Sequence, residues 1–288
     1  MEYRILGKTN IKASVVGFGA IMLDRVNDTD ALNIVSKAID GGVNYFDVAP
    51  TYGNSQYVLG PALESYRNKV TLACKSTERS QAGITKELEE SLRALKTDYF
   101  DVYQLHNTTD SDEIEKIFTS DGAMEALIKA KQKGYIRNIG FTCHHDEAAL
   151  RMMDLYDFDT MMFPVNWLYW IKNNEGEAAI AKALTQNMGV IAIKSCAKRR
   201  WNPGEKSIYP HCWYKPIDDD SELAKLALLF TLSSGAHVAM SPGAENMLML
   251  MIDIINSCTT LDFTVDMMEA LNKKVDEIDG EVIFEYAR

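Results

Sequence analysis

Paired cysteines are missing from this chain. The five it has, Cys74, Cys143, Cys196, Cys212 and Cys258, are odd in number, scattered, and never in a Cys-x-x-Cys spacing. That excludes a disulfide framework and a structural zinc module, and it suits a reducing compartment. Positive charge is also short. Thirty Lys and Arg stand against 41 Asp and Glu, a net charge of -11, so the basic footprint that a phosphate backbone requires is absent. Nucleic acid is therefore not an expected partner. Long apolar runs are missing too. The most apolar late stretch, MLMLMIDII at 247–255, is interrupted by Asp253 and is too short to span a bilayer. The opening MEYRILGKTN has no apolar segment of the signal-peptide kind, so no membrane association is expected and the expected location is cytoplasmic. No Pro/Gly/Ser-rich linker or shift in composition divides the chain, which predicts one domain over residues 1–288.

What is present is an alternation. Eight short, nearly continuous apolar runs recur: 14–19, 44–49, 70–76, 101–107, 136–144, 160–166, 189–195 and 237–243. A strand buried on both faces reads this way. Amphipathic stretches lie between them. At 83–96, Ile84, Leu88, Leu92 and Leu95 fall on one helical face, and the stretch 218–230 opens with three acids suited to a helix N-terminus. Strand-like and helix-like runs in strict alternation predict a parallel α/β sheet, and eight of them predict a closed (β/α)8 TIM barrel. A short N-terminal hairpin at 1–12 and an extra C-terminal helix near 264–279 complete the expected fold. An open doubly wound sheet is the rival, but VVGFGAI carries only Gly-x-Gly and lacks the third glycine of a dinucleotide fingerprint.

In a parallel barrel the chemistry sits at the carboxyl ends of the strands. Four polar residues fall there on three successive runs: Asp47 and, in the following loop, Tyr52; then Lys75; then His106. Neighbouring strands are about 4.8 Å apart, so side chains from strand ends two places apart can meet. A free tyrosine, with a pKa of about 10, is a poor proton donor at neutral pH. A buried ammonium beside it would stabilise the phenolate and make Tyr52 a usable general acid. Lys75 needs a carboxylate such as Asp47 to stay charged when desolvated. His106 can donate a hydrogen bond to a substrate oxygen. Any one of the four alone reads more readily as a satisfied loop residue. As a set they form a proton-delivery site for a carbonyl oxygen, with no activated nucleophile.

These segments resemble the aldo-keto reductase family over nearly the whole chain. EYRILGKTNIKASVVGFG is similar to the family's N-terminal hairpin and first strand, and NYFDVAPTYGNSQYVLGPAL to its second strand and loop. LACKST and YFDVYQLHN resemble the segments that carry the family's lysine and histidine. The resemblance implies a barrel that binds a nicotinamide cofactor across its top, with Tyr52 as acid/base, Lys75 tuning it, Asp47 anchoring the lysine and His106 placing the carbonyl. A small-molecule carbonyl compound is the implied substrate.

On the cofactor side the chain departs from the family's pattern. Where members hold the carboxamide with Ser, Asn and Gln, this chain has Thr142, Cys143 and Met162, and the stacking aromatic is replaced by Ile193 followed by Lys194 and Ser195. Ala20, after the first strand, is assigned to the cofactor by the same resemblance. SPGAEN supplies Gly243, Glu245 and Asn246 at a glycine turn leading into a helix, where the adenosine end would lie. No Lys or Arg occurs between Lys225 and Lys273, and a carboxylate at Glu245 suits free ribose hydroxyls better than a 2'-phosphate. NADH, or dual use of NADH and NADPH, is thus favoured over NADPH alone. Lys198 and Arg199, in what reads as the loop after the seventh strand, are candidates to clamp the pyrophosphate. Asn166 and the nearby His144 and His145 are candidates to compensate for the altered carboxamide positions; adjacent histidines rarely share one ion, so no metal is expected. Met22, Trp167, Tyr169, Trp170, Trp201, Tyr209 and Trp213 are candidate pocket residues. The alternative from another class is a regulatory or cofactor-sensing barrel without turnover, since fold does not fix function. Oligomeric state is not legible in this sequence.

Overall fold

The structure is a computed structural model that describes residues 1–173, 175–278 and 282–283. Its strands are β1 (Tyr3–Ile5), β2 (Lys12–Ser14), β3 (Val16–Gly19), β4 (Tyr45–Asp47), β5 (Thr71–Ser76), β6 (Phe100–Leu105), β7 (Ile136–Thr142), β8 (Thr160–Pro164), β9 (Gly189–Ile193), β10 (Ala197–Arg200), β11 (Tyr214–Pro216) and β12 (Val238–Met240). Among the described residues the helices are α1 (Asp28–Asp40), α2 (Ser55–Leu63), α3 (Gln81–Ala94), α4 (Ser111–Ile117), α5 (Ala123–Gln132), α6 (Asp146–Leu155), α7 (Trp167–Asn173), α8 (Glu177–Thr185), α9 (Ser221–Ser233), α10 (Glu245–Ser257) and α11 (Val265–Glu277). Strands β3 to β9 and β12 close into a barrel in the order β12-β3-β4-β5-β6-β7-β8-β9, every pair parallel. These are the eight apolar runs, and the fold is the (β/α)8 barrel.

The runs are continuously apolar because their strands are covered on both sides, by helices outside and by the barrel's filling inside; every residue of β5 and of β6 is buried. Side chains alternate across a strand, so every second residue points inward. Tyr45, Ala73, Val102, Met162, Ile191, Val238 and Met240 pack together as that filling, with Leu6 and Ala13 from the N-terminal segment. One alternation further up the same strands stand Asp47, Lys75 and Gln104, and the register pairs Asp47 with Ala73 and Lys75 with Gln104. The polar ends therefore lie directly above an apolar plug.

The antiparallel β1–β2 hairpin closes the opposite end. Leu6 is fully buried, the Lys8 N–H donates to the Asn187 carbonyl at 2.7 Å, and Gly7 sits at φ 52 against Met188 and Gly189. Helix α3 is capped by Ser80, which accepts from Gly83 N–H, and buries Ile84 and Leu88 as the periodicity predicts. The stretch at 218–230 begins its helix later than expected. Asp220 is the cap, accepting from Leu223 N–H at 3.0 Å, and α9 runs on to Ser233. The C-terminal helix occupies Val265–Glu277, within the expected 264–279; residue 279 lies outside the described residues. The segment with Lys198 and Arg199 is not a loop. It is strand β10, paired antiparallel with β11, with Ala197 and Arg199 buried and Lys198 and Arg200 partly exposed in alternation. Among the described residues no helix is long and apolar enough to cross a membrane; the MLMLMIDII stretch lies within α10.

A Cβ at Gly7 would stand 2.3 Å from the Gly189 backbone nitrogen, whereas Gly134, also left-handed at φ 80, faces open space. Gly7→Ala is expected to destabilise the protein by about 2 kcal/mol through backbone strain and overpacking. Gly134→Ala should cost only the left-handed backbone strain, about 1 kcal/mol. Urea unfolding of the two variants side by side checks the difference.

Candidate active site

At the carboxyl end of the barrel a cavity of about 560 Å³ opens to solvent, a size within the range of small-molecule sites. Asp47, Tyr52, Lys75 and His106 all line it. Lys75 Nζ donates to Asp47 Oδ2, and Gln104 Nε2 donates to Asp47 Oδ1 at 3.1 Å. The ion pair is shut off from water, with side-chain exposures of 1% and 4%. Tyr52 comes from the loop before α2, and the Lys75 ammonium lies 4.8 Å from its ring centroid. The Tyr52 and His106 rings meet edge-on, centroids 6.3 Å apart at 89°.

Burial alone would push Lys75 down, but Asp47, and then Tyr52, hold it above the ordinary lysine range, so it is an ammonium at any physiological pH. Burial pushes Tyr52 up, and this outweighs the opposing pull of Lys75. The expectation that Lys75 brings the phenol below its usual value is thus corrected: desolvation wins, and the phenol holds its proton through the neutral range. Burial, then the charges of Lys75 and Arg79, hold His106 down at about 3, so its imidazole is neutral. His106 Nδ1 is buried without a hydrogen-bond partner.

Of the residues assigned to a cofactor, Thr142, Met162, Ile193, Lys194 and Gly243 also line the cavity. Thr142 Oγ1 accepts from the Asn107 N–H at 2.7 Å, which leaves its own proton to donate. Lys194 gets there by backbone conformation: it is left-handed at φ 67, its carbonyl accepts from Asn166 Nδ2 at 3.0 Å and from the Ala197 N–H, and its ammonium lies 4.7 Å from the Trp213 ring centroid. Burial pulls this lysine well below the ordinary range.

Other expected contacts lie elsewhere. Ala20, Cys143 and Ser195 are fully buried and off the cavity lining; Cys143, next to inward-facing Thr142, points the other way and its thiol contacts the His145 carbonyl at 3.3 Å. Lys198 pairs with Asp219 at 2.8 Å and Arg199 with Glu205 at 2.7 Å, bordering a separate cleft near α11. Glu245 pairs with Lys37 of α1 at 2.9 Å, and Asn246 Nδ2 donates to the Tyr209 hydroxyl at 3.1 Å. Among the aromatic candidates only Trp213 lines the cavity; Trp167 is fully buried, Trp170 packs edge-on against Phe230, and Trp201 donates to the Cys212 carbonyl.

Several residues in or behind the cavity were missed or weighed differently in the sequence reading. Gln104 was legible, being one alternation above Val102 on an inward face. His144, weighed above beside His145, lines the cavity two residues past the end of β7, and its Nδ1 contacts Asn107 Oδ1 at 3.0 Å. His211 and Tyr214 carried no local signal, because the 201–216 segment folds back across the mouth. There, a Cβ on Gly243 would come within 2.6 Å of the His211 carbonyl oxygen.

Fold and cavity define a parallel barrel with a buried Lys–Asp pair, a tyrosine and a neutral histidine at the carboxyl ends of its strands. The pattern described as the Aldo/keto reductase family matches residues 15–202, and the chain belongs to that family. An uncharacterized oxidoreductase, YqkF of Bacillus subtilis (strain 168), is 35% identical over 156 residues, 49% of this chain and 49% of its own. The match therefore spans about half the length of that relative. L-galactose dehydrogenase of Arabidopsis thaliana is 27% identical over 265 residues, 81% of each chain. The solved aldo-keto reductase AKR11C1 from Bacillus halodurans, in its holo form, superposes with a TM-score of 0.73 at 21% identity over 99% of this chain and 98% of that one, a likeness of fold.

Removing one partner of a buried ion pair strands the other charge. Lys75→Met is expected to cost about 3–5 kcal/mol, while adding Asp47→Asn should restore a good part of the loss. Equal unfolding midpoints for the single and double variants would contradict a buried, ionised pair.

Proposed function

We propose that the chain is a nicotinamide-dependent oxidoreductase that reduces an aldehyde or ketone to an alcohol, or runs the reverse. The observation that carries this reading is the buried Lys75–Asp47 pair in contact with Tyr52, beside a neutral His106, on the wall of an open cavity. Protonated Tyr52 is the proton donor to the carbonyl oxygen. Lys75, fixed in charge by Asp47, stabilises the phenolate that remains. The neutral imidazole of His106 has one proton to place. At Nδ1 it would be an orphaned buried donor, so Nε2 carries it and donates to the same oxygen, fixing the carbonyl.

The residues fit a nicotinamide cofactor. The cavity runs from Tyr52 and His106 to Ser241, Pro242 and Gly243, and at Gly243 a side chain would fill the cradle beneath His211. Thr142 offers the hydroxyl for the carboxamide, Ile193 and Met162 supply apolar wall, and the turn at Gly243 leads toward the phosphates. When bound, a reduced nicotinamide supplies hydride to the carbonyl carbon. The preference we favour is NADH or dual use: Glu245 suits ribose hydroxyls, while Lys37, its partner, brings a cation to the same spot. Trp213 and Tyr214 give the mouth aromatic surface for a flat or apolar carbonyl compound.

Tyr52→Phe is expected to lower kcat/KM for 4-nitrobenzaldehyde by at least about 100-fold, the contribution of a positioned acid, and to leave the cofactor Kd unchanged. Full activity in that variant would sink the assignment. Because His106 is held at about 3, its protonation does not slow the wild-type reduction between pH 8 and pH 5; an acid limb would arise only as pH falls toward that value.

A further inference from the structure

Arg79 lies in the loop between β5 and α3, and its side chain is only 12% exposed. Its guanidinium does not point at the cavity. Nη2 donates to the His106 carbonyl at 2.7 Å and to the Asn107 carbonyl at 3.3 Å, and Nη1 reaches the Ser76 carbonyl at 3.5 Å. From the other side Glu113 of α4 takes Nε at 3.2 Å and Nη2 at 3.1 Å. One rigid planar fork thus joins the ends of β5 and β6 to α4. The backbone it holds is in an uncommon conformation: Asn107 is left-handed at φ 57, with its N–H bound by Thr142 Oγ1. Asparagine adopts this region more readily than other non-glycine residues, and here the Arg79 fork and Thr142 fix it there.

We propose that Arg79 is a positioning residue for the reaction, clamping the His106–Asn107 backbone so that the His106 imidazole is held at the cavity wall facing Tyr52. The proposal rests on the reading of the site given above. It assigns Arg79 no contact with substrate or cofactor. A guanidinium does this where an ammonium cannot, since its donors are fixed in one plane and serve two adjacent carbonyls together with a carboxylate. The clamp has an electrostatic consequence as well. The groups that face His106 are Tyr52 from the β4 loop, Lys75 from β5 with Asp47 behind it, Arg79, and His144 from the end of β7. Of these, the charges of Lys75 and Arg79 add to burial in keeping the imidazole neutral.

The two effects separate in two variants. Arg79→Lys keeps the charge and loses the fork; Arg79→Met loses both. With 4-nitrobenzaldehyde and NADH or NADPH, both variants are expected to lose at least about 10-fold in kcat/KM through kcat, because small displacements of a positioned group are costly, with cofactor Kd unchanged. In histidine-labelled protein without ligand, an NMR pH titration, with the His106 signal identified from His106→Asn, should show its midpoint rising in Arg79→Met and staying low in Arg79→Lys. Wild-type kcat/KM and an unmoved His106 midpoint in Arg79→Met would overturn the proposal. So would a loss confined to melting temperature or cofactor binding. The NMR arm needs no turnover and follows the charge of Arg79 beside His106, so it tests that proximity even if the carbonyl-reducing reading fails, while the kcat loss in Arg79→Lys tests the clamp; the carbonyl-reducing reading fails separately if Tyr52→Phe is as active as wild type. Should Arg79→Met not fold, Glu113→Gln releases the clamp from its exposed side and is expected to give a smaller loss in kcat at unchanged Kd.

Discussion

An ammonium and a carboxylate shut away from water at the top of an apolar barrel are the constraint on which the rest of this site depends. Either charge alone would be strongly disfavoured there. Together, with Gln104 holding the second carboxylate oxygen, they make a net-neutral pair whose ammonium is a charged centre that does not titrate in the physiological range. Tyr52 lies against that centre and His106 lies edge-on to Tyr52. Desolvation keeps the phenol protonated, while the ammonium lowers the cost of the phenolate once the proton has left. On the proposed reading, a proton donor for a carbonyl needs both properties at different moments, burial supplying the first and the Lys75 ammonium the second.

The barrel supplies the pair because of a period of two. Inward residues of β4, β5 and β6 are apolar at the lower level and polar one alternation above, so the same geometry that fills the core lifts Asp47, Lys75 and Gln104 to the mouth. This is why fold and site were largely legible together. Strands covered on both faces are mostly apolar, hence eight apolar runs; where a run ends in Lys or His, the polar residue has come to the strand's carboxyl end.

The same rule shows where the sequence reading overreached. Thr142 and Cys143 are consecutive at the end of one strand, so only one can face the cavity, and Cys143 turns away. Lys194 would be outward by the same count, and only its left-handed backbone brings it in, which no periodicity reveals. Lys198 and Arg199 look free in a loop, yet the ribbon of β10 and β11 and the acids Asp219 and Glu205 engage them. Lys37 and Glu245 stand far apart in the chain and meet only because α1 and α10 are neighbours on the closed barrel. The pairings of Lys198 with Asp219 and of Lys37 with Glu245 join segments distant in the chain, and such contacts leave no mark on the local pattern of residues.

The central claim is that this cavity accepts a nicotinamide cofactor. Trp213 lies on its wall, so a bound reduced nicotinamide should quench tryptophan emission by energy transfer. Fluorescence titrations with NADH and with NADPH test the claim most directly, repeated on Trp213→Phe. The account predicts a saturable change with at least one of the two cofactors that shrinks in the variant. No saturable change with either, in a protein that melts cooperatively, would contradict it.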